Sequence, residues 1–364
     1  MGISIIAAAL ICFLILCFYS TINNTFGIES SVLSITAVGD TTGNRIKKEN
    51  LSSALSSEIG DIIKSSDLFI FNLEAVLVGS KENVPKCEGF PYEQSVFVSN
   101  STFADYLKLA PITIANLANN HILDCNSEGI NETKRVLTEK GIYSVGAGQN
   151  LEEACEPLFI KYNGLDIAFV SYNFVLPHLV SADTNHPGAA SLSVCNHDYG
   201  NYRLHNGIDL IVASMHLGLW SPDVNKEQLK VVDYLIKAGV DIVIGHSPHM
   251  PQAIVSTEEG ELAFFSLGNF IFRPDYEMPS LAHTTIMPKI NLYKDNRMNI
   301  TIYPVRIDSD GLPHVEENTN DIVSRVAEDS KKFNTSIKVH NNLGYVSTKR
   351  NITEIEKNST FRNS

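Results

Sequence analysis

The sequence has no long run of basic residues, no C-x-x-C pair, no evident internal repeat and no lysine or arginine ahead of its first apolar stretch. The first absence argues against nucleic acid as a partner. Lys+Arg 28 against Asp+Glu 41 leaves a net charge of -13, and no local basic block offsets its repulsion of a phosphate backbone. The second argues against a zinc–thiolate site, which draws on closely spaced thiolate pairs. The last leaves the membrane orientation of the apolar stretch weakly specified by charge.

That stretch, residues 3–19 (ISIIAAALICFLILCFY), is uncharged and reaches the lower end of the length a spanning helix needs. Phe18-Tyr19-Ser20 offers no small-x-small cleavage site. The expectation is an uncleaved signal anchor over residues 1–20 and a polar linker over 21–31, with the main domain outside the cytoplasm. A cleaved signal peptide, giving a secreted protein, is the rival. Of the six cysteines, Cys12 and Cys17 fall in the apolar stretch. Cys87, Cys125, Cys155 and Cys195 remain, enough for two disulfides in an exported domain, in a connectivity that the spacing leaves open. Asn-x-Ser/Thr sequons beginning at Asn23, Asn50, Asn100, Asn131, Asn299, Asn334, Asn351 and Asn358 permit glycosylation without requiring it.

With 364 residues and a 44% hydrophobic fraction, the chain can bury a large core. Its pattern alternates strand with helix. Apolar runs at 32–38, 67–74, 111–117, 209–215 and 240–244 read as strands, and helical spacing occupies 51–64, 102–109, 127–140 and 225–238. Residues 75–100 read as a loop or lid. Hairpins are expected around Asn163-Gly164 and Glu259-Gly260, and two further strands over 284–307. This is the pattern of a layered α/β domain, assigned to residues 32–308. The polar remainder, 309–364, reads as an extension that is largely flexible from about 334.

Five of the strands end on candidate ligands: Asp40, Glu74, Asn120 with His121, His216, and His246 with His249. A polar residue after one strand means little, since loops are polar. Open α/β sheets bind ligands beyond the carboxyl ends of their strands, so five such ends can converge there. In VDIVIGHSPHMPQ (240–252), Pro248 forces a turn that lets both imidazoles face that crevice.

Taken in order, Gly39-Asp40, NLE (72–74), LANNHILD (117–124), SMHLG (214–218), GHSPH (245–249) and SLGNF (266–270) closely resemble the bacterial capsule-synthesis proteins called CapA or PgsA, of the poly-γ-glutamate system. GAGQNLEEA (146–154) also looks like that family. The resemblance implies a fold similar to the calcineurin-like metallophosphatases, a layered β-sandwich flanked by helices with a two-metal site. It implies that Asp40 binds one cation, Glu74 bridges and Asn120 binds the other, with His216, His246 and His249 completing the shells. His121 then matches a proton donor or anion stabiliser that Asp124 orients. Divalent ions held this way polarise an anionic group and acidify a water. Mixed N and O ligation suits Mn, Fe or Zn without choosing among them.

The sequence departs from the phosphatase pattern. Thr42 stands where D-x-H has histidine, and NLE replaces GD-x-x-D, which weakens the case for one of the two metals. Leu217 and Ser247 depart from the HWG and GHHPH of the usual relatives, and Trp220 is the substitute for the missing aromatic wall. SLGNF reads mainly as an aromatic strand end packed under the site. His178, His186, His197, His205 and His283 read as non-ligands, and Cys125 as a disulfide partner.

Two functions follow as expectations. One is a membrane-anchored, metal-dependent hydrolase or transferase acting on an anionic or amide-linked polymer such as poly-γ-glutamate. A local cluster at Arg45, Lys47, Lys48 or Arg273 would offset the overall negative charge. The other is a non-catalytic assembly or export subunit, beside other polymer-synthase subunits, or a secreted binding protein on the same fold.

Overall fold

Alternation of apolar side chains decides which face of each strand goes where, and two main sheets result, beside two short strand pairs. The computed structural model describes residues 30–350, apart from 48–50, 53–54, 56–57, 80–86, 88–95, 196, 274–277 and 316–320. The anchor expected over 1–20, nearly all of the linker and the last residues, 351–364, lie outside the described residues. Among the described residues, no helix is long and apolar enough to cross a membrane.

The first half of the chain runs β1 (Leu33–Thr41), α1 (Glu58–Lys64), β2 (Leu68–Leu73), β3 (Val76–Val78), β4 (Val98–Asn100), α2 (Ala104–Leu107), β5 (Ile112–Asn116), α3 (Asn126–Glu139), β6 (Tyr143–Val145) and β7 (Ala147–Gly148). Next come α4 (Leu151–Cys155), β8 (Leu158–Tyr162), β9 (Leu165–Asn173), α5 (Pro177–Val180), β10 (Gly188–Ala189), α6 (Tyr199–Asn206), β11 (Leu210–His216), α7 (Lys226–Lys237) and β12 (Ile242–His246). The chain continues through β13 (Ile254–Ser256), β14 (Leu262–Phe264), β15 (Asn269–Ile271), β16 (Thr284–Leu292), β17 (Arg297–Ile307), β18 (Pro313–Val315), α8 (Asp321–Lys331), β19 (Lys338–His340) and β20 (Leu343–Lys349).

The large sheet has the order β19-β20-β17-β16-β1-β2-β5-β6, with β15 also on β1 and β18 on β17. The small sheet has the order β13-β14-β12-β11-β9-β8. In each, parallel strands linked through helices form the middle, and antiparallel hairpins form an edge. Strand β2 shows how the layers arise. Leu68 and Ile70 face the small sheet and pack with Phe169, Val212, Ile244 and Phe264. Phe69 and Phe71 face the other way and pack under Ile59 and Ile63 of α1 and Leu137 of α3. On the far side, Ala213 and Val243 pack against Val232 and Leu235 of α7. The result is a two-sheet sandwich with helices outside, held by side chains each contributing about 1.5–3 kcal/mol on full burial.

Helix α7 also shapes what lies beyond the strands. Asn225 caps it through the backbone N–H groups of Glu227 and Gln228, and Gln228 Oε1 accepts from Asn225 N–H in return. Gln228 is fully buried, and its Nε2 donates to Leu217 O and Gln252 Oε1. Gln252 Nε2 donates in turn to Ser221 O and Asp223 O, so one cap fixes the loop after β11.

Several expectations change. Residues 75–100 are not wholly irregular: β3 and β4 pair in parallel, and Cys87 bonds Cys125 at the start of α3. The second disulfide joins Cys155 to Cys195. The C-terminal boundary at 308 and the flexible tail from 334 are corrected as far as residue 350. Helix α8 buries Val323 and Val326 in the inter-sheet core, and β20 pairs with β17. Arg350 then reaches Asp241 Oδ1 at 2.8 Å, beside Arg203 on Oδ2. The tail is polar because its strands lie at a sheet edge, where alternate side chains face water.

Candidate metal centre

Two rows of side chains face each other at one end of the sandwich. On the large sheet, parallel register sets Asn269, Asp40, Asn72 and Asn116 side by side on β15, β1, β2 and β5. On the small sheet it sets Asn173, His216 and His246 side by side on β9, β11 and β12. The rows meet where His216 Nδ1 lies 3.2 Å from Asn72 Nδ2 and His246 Nδ1 lies 3.7 Å from Asp40 Oδ1. Glycine permits the approach of β15 to β1. A Cβ on Gly39 would sit 1.7 Å from Gly268 O, the atom that accepts from Asp40 N–H at 2.9 Å.

The loop after β12 turns sharply. Ser247 and His249 hold φ of 97° and 57°, left-handed backbone that costs a non-glycine residue about 1–3 kcal/mol. In return, Ser247 N–H points at Asp40 Oδ2 at 3.3 Å and His249 Nδ1 lies 3.2 Å from the same oxygen. Glu74, the residue after β2, is buried opposite. Its Oε1 lies 3.5 Å from His216 Nε2 and 3.9 Å from both His249 Nε2 and His121 Nε2. Asn120 Oδ1 is 2.9 Å from His216 Nε2. His121 Nδ1 is 2.8 Å from Asp124 Oδ2, which also accepts from Phe97 N–H, and the Phe97 ring stacks on the His121 ring at 4.1 Å.

The residues named from sequence as ligands, Asp40, Glu74, Asn120, His216, His246 and His249, therefore come together, with His121 and Asp124 at their side. The histidines set aside keep other company: His186 pairs with Asp183, and His197 with Tyr172 and the Cys155 carbonyl. Trp220 is 57% exposed and meets His249 edge-on, its ring centre 5.7 Å away, so it stands at the mouth rather than as a closed wall. Arg45, Lys47 and Arg273 are exposed. Arg273 follows Phe272, whose ring lies 5.1 Å from that of His249. Lys48 lies outside the described residues.

Reading from sequence named Asn120 but missed the carboxamides that support the ligands. Asn72 Nδ2 donates to Asp40 Oδ1 at 2.7 Å. Asn269 Oδ1 is 2.8 Å from His249 Nδ1 while its Nδ2 donates to Ala282 O, so SLGNF supports the imidazole as well as packing below it. The available signal was an amide placed directly at the end of an apolar run. Thr42, in contrast, turns away from ligation, since its Oγ1 accepts from Asn44 N–H at 3.1 Å.

The electrostatics are those of a place short of positive charge. Burial works against the Asp40 carboxylate, yet its bond to His249 and the charge of that ring, with smaller help from the His216 and His246 rings, hold it well below the usual range. Glu74, removed from water and facing Asp40, is pushed well above its own. Burial depresses His216 to about 3 and His246 to about 4, which keeps both rings neutral, as ligation requires. For His249 burial acts in the same sense, but Glu74 and Asp40 outweigh it and raise the group to about 9.

A divalent cation fits this set on one decisive point. His246 is fully buried, and neither of its ring nitrogens has a hydrogen-bond partner; Glu74 Oε2 has none either. Buried polar atoms are otherwise almost always paired. Ligand atoms of Asp40, Glu74 and His249 lie within 4.8 Å of one another, a spacing that one ion can span.

Comparison with known proteins bears on the same stretch. The capsule biosynthesis protein CapA of Bacillus anthracis is 27% identical over 255 residues, 67% of this chain and 61% of that protein. The PGA biosynthesis protein CapA of Bacillus subtilis (strain 168) is 27% identical over 252 residues, 67% of this chain and 64% of that protein. The chain thus spans a little under two thirds of the length of these relatives. Among solved structures, it is similar to the NAD nucleotidase of Haemophilus influenzae at 11% identity and a TM-score of 0.46, over 84% of this chain and 56% of that one. Residues 34–274, which carry every side chain of the centre, match the family described as bacterial capsule synthesis protein PGA_cap, and the chain belongs to that family.

Proposed function

We propose that this protein is a metal-dependent hydrolase or transferase acting on an anionic or amide-linked polymer such as poly-γ-glutamate, in capsule or polymer production, on a metallophosphatase-like sandwich. The observation that carries the reading is the fully buried His246 with two unpartnered ring nitrogens, opposite Asp40. Asp40, Glu74 and His249 would hold one cation, and Asn120, His216 and His246, with Glu74, a second; Mn, Fe or Zn suits these donors. Such cations supply Lewis acidity and offset the charge of the group that reacts.

The chain's own groups support the rest. Asp124 and the stacked Phe97 ring hold His121 so that Nε2 faces the cluster, where it can pass a proton to a departing group. The net charge of -13 opposes an anionic chain, so the exposed cations Arg45, Lys47 and Arg273 would guide it to the mouth. The polymer class rests on the relatives' names, capsule and PGA biosynthesis proteins. The apolar segment at 3–19 would anchor the domain outside the cytoplasm, beside other synthase subunits.

Metal analysis of the purified protein tests the reading first. Stoichiometric Mn, Fe or Zn that is lost in Asp40→Ala and His246→Ala supports it; wild type without bound metal overturns it. Phosphoesters and γ-glutamyl amides assayed side by side then separate the reaction types. A second reading, a non-catalytic assembly or export subunit, draws on Thr42, whose hydroxyl is taken up by its own loop. It requires that no substrate turn over in the metal-loaded protein.

A further inference from the structure

Asn116, Asn119 and Asn72 form a chain of amides leading to Asp40, in which backbone groups orient the first two and those two orient the third. Asn116 Oδ1 accepts from Ala118 N–H at 2.8 Å, so its Nδ2 must face Asn72 Oδ1, 2.9 Å away. Asn119 Nδ2 donates to Leu73 O at 2.8 Å and its Oδ1 accepts from His121 N–H, so its Nδ2 also faces Asn72 Oδ1, at 3.2 Å. With donors on that side, the Asn72 amide cannot reverse without setting N–H against N–H. Its Nδ2 is therefore held toward Asp40 Oδ1 at 2.7 Å and lies 3.2 Å from His216 Nδ1. Asn72, Asn116, Asn119, Asp40 and His216 are each no more than 1% exposed, so bulk water does not reach the links.

From this geometry we propose that Asn72 is the positioning residue of the metal centre. It donates to Oδ1 of Asp40 and so fixes the plane of the carboxylate, with Oδ1 also toward His246 and Oδ2 toward His249 Nδ1 and Ser247 N–H. An amide suits the task better than an acid or a hydrocarbon. It donates to the carboxylate without adding a negative charge beside it, and its removal would leave a buried carboxylate oxygen short of a donor. The consequence is that the LANNH loop and Asp40, contributed by different strands, are not independent. The backbone at Ala118 and His121 sets the Asp40 carboxylate through two amides in series.

The inference rests on the metal-site reading, and the experiment separates the two. Chelator-treated full-length protein is titrated with Mn²⁺ and with Zn²⁺ against a chromophoric competitor. The proteins compared are wild type, Asn72→Ala, Asp40→Asn, the double variant and Asn116→Ala, each also melted without metal. Asn72→Ala is expected to lose roughly 10- to 100-fold in affinity, the range for removing a group that orients a ligand. Because Asn72 acts through Asp40, the double variant should bind no more weakly than Asp40→Asn alone. Asn116→Ala, which deletes one of two donors to Asn72, should lose roughly 2- to 10-fold, a single neutral hydrogen bond's worth. Should Asn72→Ala fail to fold, that variant decides the matter. Wild-type binding with unchanged affinity in the variants, or losses that multiply in the double variant, overturns the inference while the metal site stands. Wild type that binds neither ion overturns the metal-site reading and the inference with it.

Discussion

His246 and His197 are both drawn out of water by the small sheet, one on each of its faces, and their surroundings differ in a way that bears on function. His197, packed against Tyr172, Tyr199 and Tyr202, uses both ring nitrogens: Nδ1 meets the Tyr172 hydroxyl and Nε2 the carbonyl of Cys155 at 2.6 Å. Tyr172 also meets the Tyr199 hydroxyl, so that cluster is closed upon itself. His246 uses neither nitrogen and faces a carboxylate from the other sheet. A cavity of about 650 Å³ opens beside His197, lined by Asn150, Glu152, Cys155, Thr184 and Cys195. At His246, by contrast, unpartnered buried nitrogens next to acid mark a place that a cation would satisfy.

The largest effect that would break this contrast concerns metal content. His246→Ala should purify without stoichiometric metal while His197→Gln retains the full amount, as measured by elemental analysis of the two proteins side by side. Equal loss from both would mean that the closed cluster matters to the centre after all. His121→Ala should come next, lowering turnover roughly 10²- to 10⁴-fold with metal content unchanged, as expected for a proton-transfer group rather than a ligand. A parallel loss of metal would move His121 into the ligand set.

The closed cluster should reveal itself in stability. His197→Gln is expected to cost about 1–3 kcal/mol in urea unfolding, since it leaves buried hydroxyl and carbonyl groups short of a partner. An unchanged midpoint would show that those hydrogen bonds contribute nothing. The smallest effect is on pH dependence. Burial holds His197 below its ordinary 6.5, so below that pH the unfolded chain takes up a proton more readily than the folded one. Stability is then complete above about pH 6.5 and falls as the pH drops toward the folded value, at no more than about 1.4 kcal/mol per pH unit from this group. Wild type minus His197→Gln, measured from pH 7.5 to 5, should show that added slope. Parallel curves would remove His197 from the account; His216 and His246, also depressed, supply a slope common to both proteins.

Much of the fold was legible because burial on a sheet imposes a period. The runs that became β1, β2, β5, β11 and β12 are largely apolar and buried almost throughout, with Ser34, Thr36, Thr113 and Ser214 as polar residues inside them, and each leads into a donor at or just past its end. The C-terminal hairpin escaped because β20, one strand in from the edge, buries only alternate positions, Gly344 and Val346. Its turn was nevertheless written in the sequence. Asn341 and Asn342 both hold positive φ, 48° and 63°, between strands paired at His340 and Leu343, and two adjacent asparagines favour such a turn. Of the centre, the imidazoles and acids stood out by their chemistry. Asn72 and Asn269 did not, since their part depends on lying beside Asp40 in the sheet.

Composition and pattern by themselves determined an α/β chain whose strands end on donors, because side-chain chemistry and apolar period are local properties. Only the tertiary structure decided that Asp40 shares a register with Asn72 and Asn269 and lies opposite His246. It also decided that both nitrogens of His246, but neither of His197, lack a partner. Register and hydrogen-bond satisfaction arise between segments far apart in the chain, and both follow from how the two sheets close on each other rather than from any one stretch.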